Sequence, residues 1–219
     1  MQEEVSEDFA NEDSVLATSV LSAMLAGNRK FADGNSAHAG VNSESRMKLI
    51  DGQHPGAVVL SCADSRVAPE FIFDAGLGDI FSVRTAGEVL DDAVIASLEY
   101  AVSDLGVKVL AVLGHEHCGA VKAVLPNVQK LVSEYGEDKT SEIIESSELI
   151  LLRSLGPAVL AGVEENLDTD DIERIHVSNI LAEICEKSQI IREAVFKDAL
   201  MLVGARYRMS DGLVEVLSC

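Results

Sequence analysis

Ala57-Val58-Val59-Leu60, closed by Ser61, is an apolar run with no polar alternation. A strand with one face in water would alternate apolar and polar residues. A run without alternation reads as a strand buried on both faces, the situation of a parallel sheet covered by helices. Parallel neighbours need crossover connections, and helices supply them. The rest of the chain fits that scheme. Asp79 to Arg84 reads as a second strand, and Val107 to Leu113 as a third. Ala199 to Val203 reads as a fourth strand. Leu213 to Leu217 reads as an edge strand after a turn at Ser210-Asp211-Gly212. Between the second and third strands, Asp91 to Leu105 carries Val94, Ile95, Leu98, Ala101, Val102 and Leu105 at helical spacing, with Gly106 placed to cap it. Helices alternating with strands predict an α/β fold: a single domain with a central, mostly parallel sheet of four to five strands flanked by helices, doubly wound.

An N-terminal helical arm precedes this sheet. Val15, Leu16, Val20, Leu21, Met24 and Leu25 fall on one helical face, and Asp13 or Ser14 is placed to cap a helix running to about Ala32. Residues 1–13 are acidic and read as a flexible N-terminus, leaving 14–219 as the domain. Residues 126–175 read as charged helices punctuated at Gly136 and Gly156-Pro157, and the acidic stretches 135–150 and 164–173 as solvated faces and loops.

The chain has 219 residues, 47% of them hydrophobic, enough for one substantial core. Its formal charge of −20 opposes binding to nucleic acid and to anionic membranes. No apolar stretch approaches the ~18 residues of a membrane-spanning helix. The first residues, Met1-Gln2-Glu3-Glu4, are acidic where a secretory signal would be basic. A cytoplasmic protein is expected. In a reducing compartment the cysteines at 62, 118, 185 and 219 point to metal binding rather than to disulfides.

Two of those cysteines sit in informative places. Cys62 follows the first strand within Cys62-Ala63-Asp64-Ser65-Arg66. His115 and Cys118 follow the third within His115-Glu116-His117-Cys118-Gly119. In open α/β sheets, sites form outside the carboxyl ends of strands where the winding direction reverses. If the two strands are neighbours there, two thiols and an imidazole converge. Such a set holds zinc with three protein ligands and leaves a fourth position open, as catalytic zinc sites do. Asp64 is then placed to contact a zinc-bound water, and Arg66 to orient Asp64.

Ser61-Cys62-Ala63-Asp64-Ser65-Arg66-Val67-Ala68-Pro69-Glu70, together with Gly114-His115-Glu116-His117-Cys118-Gly119-Ala120, resembles the β-class carbonic anhydrases. Leu25-Ala26-Gly27-Asn28-Arg29-Lys30-Phe31, Gly78-Asp79-Ile80-Phe81, Arg84-Thr85-Ala86-Gly87, Ser97 to Val102 and Val203 to Tyr207 extend the likeness over roughly residues 14–217. The resemblance implies one zinc ion per subunit, held by Cys62, His115 and Cys118. It implies a catalytic dyad of Asp64 and Arg66. Gln53, Phe81 and Tyr100 match positions lining the family's substrate pocket, partly donated across a dimer interface, and Gly119 matches a small residue beside the metal. A homodimer is the implied minimal unit, with a tetramer within the family's range.

The implied reaction is reversible hydration of carbon dioxide to bicarbonate and a proton by a zinc-activated hydroxide. Two thiolates cancel the ion's charge, so activity should rise above neutrality. In some relatives the residue matching Asp64 swings onto the metal when the dyad breaks. Alternative readings are hydrolysis of carbonyl sulfide or carbon disulfide on the same site, and a non-catalytic zinc-holding scaffold. Departures from the family are Thr85 and Glu88, each where Asn is common, with Glu88 expected to add negative charge near the pocket mouth. Val59 stands where one subgroup has a Trp that helps bind regulatory bicarbonate, so that site is not expected. His117 should point away from the metal, while His38, His54 and His176 read as surface or capping residues. Cys185 reads as buried and Cys219 as a free thiol.

Overall fold

The structure, a computed structural model, describes residues 12–219. The elements in chain order are α1 (Glu12–Ala32), α2 (Ser43–Lys48), β1 (Ala57–Cys62), α3 (Pro69–Ile72), β2 (Ile80–Thr85), a 3-10 turn (Ala86–Glu88), α4 (Asp92–Ser103), β3 (Val109–His115), α5 (Gly119–Tyr135), α6 (Glu137–Glu145), α7 (Ile150–Glu164), α8 (Thr169–Lys187), α9 (Gln189–Phe196), β4 (Met201–Tyr207) and β5 (Val214–Ser218). One five-stranded sheet has the order β2-β1-β3-β4-β5. Its first four strands are parallel, and β5 closes one edge antiparallel to β4. The chain winds from β1 outward to β2, then returns past β1 to β3 and β4. The winding therefore reverses between β1 and β3, as expected for a doubly wound α/β domain.

Every residue of β1 and of β3 is buried. The strand period of two divides them between the faces. Val58 and Leu60 pack with Val94 and Leu98 of α4 and Ile180 and Ile184 of α8. Ala57 and Val59 pack on the other face with Ala17 and Met24 of α1, Ile72 and Phe73. Each large side chain so enclosed contributes about 1.5–3 kcal/mol. A third apolar cluster, between α5, α6 and α7, reaches the sheet end and includes Cys62 and Cys118.

Helix α1 is bound tightly at one point. A Cβ on Gly27 would lie 1.9 Å from the Phe73 carbonyl oxygen, so only glycine permits this approach. The next residue, Asn28, is buried, donates to the carbonyls of Ile72 (3.2 Å) and Gly212 (2.9 Å), and accepts from the Val214 amide (2.8 Å). One side chain thus ties the arm to both α3 and the β5 edge.

Several boundaries differ from the sequence reading. Helix α1 is already helical at Glu12, so Asp13 lies inside it and pairs with Lys108 at 2.7 Å instead of capping. Of the acidic stretch 1–13, residues 1–11 lie outside the described residues. Leu16 faces outward at 52% exposure, and Ala17 takes the buried position. Strand β3 begins and ends two residues later than expected, which makes His115 its last residue. Helix α4 is capped by Asp91, which accepts from the Val94 amide at 2.8 Å, and it stops at Ser103. Gly106, at φ 68°, then turns the chain so that the Val107 amide reaches the Ala101 carbonyl at 3.2 Å. Gly156-Pro157 does not interrupt α7. The buried face Leu152, Leu155, Gly156 and Val159 holds the helix through the proline, and Gly156 admits Ile144, whose Cγ2 would lie 2.7 Å from a Cβ there.

Candidate metal centre

Strands β1 and β3 are hydrogen-bonded neighbours, and their carboxyl ends carry Cys62 and His115. A turn through Glu116 and His117 then delivers Cys118 to the start of α5. His117 adopts φ 58° in this turn, and its side chain is exposed, directed away as expected. Ligand atoms of Cys62, His115 and Cys118 lie within 4.8 Å of one another, all on buried residues. Nδ1 of His115 lies 2.9 Å from the Glu116 carbonyl, a contact that places the proton on Nδ1. That leaves Nε2 as an acceptor, and it is buried without a partner. A buried imidazole lone pair beside two thiols fits a metal ion, with the Glu116 carbonyl fixing the ring from behind. The donor set of two sulfurs and one nitrogen suits zinc.

The two thiols are electrostatically unlike. Cys62 is pushed down to about 4, first by the Cys118 thiol, which donates to it, and further by the Gly87 amide. Cys118 is pushed up by that same contact and by burial. A dication between them would favour the thiolate form of both. Gly87 owes its place to conformation. It sits at φ 66°, its amide lies 3.4 Å from Cys62 Sγ, and a Cβ would fall 2.8 Å from Ala120 Cβ.

Asp64 and Arg66 stand at the rim of this group. Arg66 Nε donates to Asp64 Oδ1 at 2.9 Å, and Nη2 donates to Oδ2 at 2.7 Å. The Arg66 amide adds a third bond to Oδ1 at 2.9 Å. This fork, above all the side-chain bonds, holds the Asp64 carboxyl well below the usual carboxylate range. Asp64 is therefore ionised throughout the neutral range and turned toward Arg66. Arg84, which the sequence reading left without a role, clamps the same loop. Its guanidinium donates to the Cys62 carbonyl at 3.1 Å and 3.2 Å and to the Asp64 carbonyl at 2.7 Å.

A family profile described as carbonic anhydrase matches residues 57–214, which spans both motifs and the sheet. The chain belongs to the carbonic anhydrase family. It is 40% identical over 193 residues to carbonic anhydrase 2 of Mycobacterium tuberculosis, with 87% of each chain covered. It is 39% identical over 197 residues to a carbonic anhydrase of Mycolicibacterium smegmatis, covering 90% of this chain and 91% of that one. Among solved structures, a β-carbonic anhydrase of Aspergillus fumigatus superposes with a TM-score of 0.65 at 26% identity, covering 90% of both chains. A tetrameric β-carbonic anhydrase of Sordaria macrospora superposes at 0.63 with 25% identity, covering 92% of this chain and 98% of that one. The β class is the one the fold matches. Zinc-dependent hydration of carbon dioxide is the standard function of this family.

Against that identity, the structure divides the expected site residues of this carbonic anhydrase into two sets. Cys62, Asp64, Arg66, His115, Cys118 and Gly119 gather at the carboxyl ends of the strands, with open space over Gly119. Gln53, Phe81 and Tyr100 do not join them within one chain. Phe81 pairs with Val58 near the start of β1, and Tyr100 lies 6.1 Å from Phe81 between ring centres. Gln53 precedes β1 altogether and lines an open cavity of about 610 Å³ with Leu49, Ile50 and Leu77. A six-residue strand is roughly 17–20 Å long, so these residues and the metal group occupy opposite ends of the sheet.

Four other expectations are corrected. Glu88 is not at a pocket mouth: it is 2% exposed, and burial raises its carboxyl well above the usual range. His176 is neither surface nor cap but buried, with Nε2 2.8 Å from the Gly87 carbonyl. Glu173, assigned to a solvated stretch, is 3% exposed and accepts from the Cys118 amide at 3.0 Å. Cys185 is half-buried rather than enclosed. Glu173 and His176, the two buried polar residues of α8, lie on its apolar stripe, with Val177, Ile180 and Ile184 at helical spacing from them. A charged residue on such a stripe was the available signal.

Proposed function

We propose that Cys62, His115 and Cys118 hold one zinc ion per chain and that the protein hydrates carbon dioxide there, with Asp64 and Arg66 as the catalytic dyad. The unpartnered Nε2 of His115 between two thiols, beside a closed Asp64–Arg66 fork, carries this reading. Zinc in such a set supplies Lewis-acid chemistry that acidifies a water molecule towards a pKa of ~7. The chain's own part is orientation. Asp64, fixed by Arg66, accepts a hydrogen bond from the attacking oxygen and turns its lone pair toward carbon dioxide. Because Asp64 stays ionised at neutral pH, it does not set the pH profile. With two thiolates offsetting the ion's charge, kcat/KM should rise between about pH 6 and about pH 9. Stopped-flow hydration with an indicator tests this, and a flat profile would contradict it.

The site needs a second copy. Gln53, Phe81 and Tyr100 sit at the far end of the sheet and serve as substrate-pocket residues only if a neighbouring subunit presents them. Helix α2 buries none of its residues. Ile50 and Leu77, which line the cavity beside Gln53, are 65% and 47% exposed, and Met47 of α2 is 61% exposed. An apolar face rimmed by polar groups is a surface that a partner covers. A homodimer is therefore the functional unit, and the tetrameric Sordaria relative supports larger assembly. Ile50→Asp should shift sedimentation from dimer to monomer and lower kcat/KM in parallel. Unchanged sedimentation with full activity would contradict this face. No helix among the described residues is long and apolar enough to cross a membrane. The four free cysteines support a cytoplasmic setting.

A further inference from the structure

Both cysteine-bearing loops are held from behind by one helix. Glu173 and His176 stand three residues apart on α8, on its buried side. Glu173 Oε1 accepts from the Cys118 amide at 3.0 Å. Its Oε2 accepts from Arg206 Nε at 3.1 Å and lies 3.0 Å from Nη2. Arg206, fully buried on β4, is held in turn by Asp170 at 2.8 Å. His176 Nε2 contacts the Gly87 carbonyl at 2.8 Å, and the Gly87 amide points at Cys62 Sγ at 3.4 Å. A carbonyl oxygen only accepts, so Nε2 is the donor in this contact. Each thiol is thus fixed through a peptide group, and each peptide group is fixed by α8.

We propose that Glu173 and His176 are positioning residues that set the separation of the two thiolates and so govern how tightly the chain keeps its metal. Neither side chain touches a sulfur. Glu173 fixes the backbone of Cys118, and Arg206 fixes which way the carboxylate faces. His176 fixes the Gly87 peptide, whose amide donates to Cys62. Outer groups of this kind orient ligands and typically change metal affinity by about 10- to 100-fold when removed. The inference rests on the ligand assignment above and is separable from it.

The test is zinc release from the loaded protein to a chromogenic chelator, with zinc content and urea unfolding midpoints measured on the same samples. In an Arg206→Met background the ion pair is absent whichever residue stands at 173. Glu173→Leu then removes the acceptor for the Cys118 amide, whereas Glu173→Gln keeps a carbonyl oxygen there. Release should be about 10- to 100-fold faster for the Leu variant than for the Gln variant at matched unfolding midpoints. Equal release rates would overturn the role of Glu173. If the Leu variant does not fold, His176→Leu against His176→Gln reads the same difference at Cys62, since only Gln keeps a donor for the Gly87 carbonyl. Equal rates in that pair would overturn the role of His176. A wild-type protein that retains no zinc would remove the ligand assignment and this inference with it.

Discussion

Cys118→Ser should lower kcat/KM for carbon dioxide hydration by at least about 10³-fold and leave the protein with little zinc. Of the three ligands proposed for the ion one is then missing, and Lewis-acid activation worth several kcal/mol should be lost with it, at 1.36 kcal/mol for each tenfold in rate. Cys118 is 3% exposed and begins α5, so the smaller oxygen fits where sulfur was. The apoprotein should keep its sheet, because the apolar side chains of β1 and β3 pack in clusters that include none of the proposed ligands. Metal analysis, stopped-flow turnover and circular dichroism on one preparation check the three parts. A folded variant with full zinc and wild-type turnover would contradict the assignment of Cys118.

Asp64→Asn should lower kcat/KM by about 10²-fold, within the range for a positioned proton acceptor, while zinc content stays at the wild-type level. The carboxylate accepts three hydrogen bonds from Arg66 and remains ionised for that reason. An amide cannot take both arms of the guanidinium fork, because one of its two polar atoms is itself a donor. Arg66→Ala should cost a similar factor through misplacement of Asp64. The double variant should then cost hardly more than either single change, as expected of groups acting as a unit. Fully additive losses would show that the two residues act separately.

How much of this was legible in the sequence depends on what each residue's pattern encodes. The uninterrupted apolar character of residues 57–60 encodes burial on both faces, and burial on both faces encodes a parallel sheet with helices around it. Cys62 and His115 at strand ends followed directly, because strand ends at a winding reversal are where such sheets place sites. Strand boundaries were less legible: Gly114, His115 and Arg206 lack strand character, yet lie in ladders set by their neighbours. The residues behind the metal were not found. Glu173 and Arg206 are charged, and charge normally marks solvent. Each is buried because the other, together with Asp170 and the Cys118 amide, satisfies it. His176 was missed similarly, since its partner is a backbone carbonyl that no side-chain pattern reveals. Glu88 shows the same effect in reverse: its charge was expected to act near the pocket mouth, and the fold buries it and disfavours that charge. The separation of Gln53 from the metal end follows from its place ahead of β1, and it becomes visible only once the strand direction is known.

The most direct measurement is stopped-flow hydration of carbon dioxide near pH 8.5, about where the activated water is largely deprotonated, on samples graded in zinc content from apoprotein to fully loaded. Turnover should be proportional to bound zinc, reaching its maximum near one ion per chain. Full zinc occupancy without turnover would contradict it.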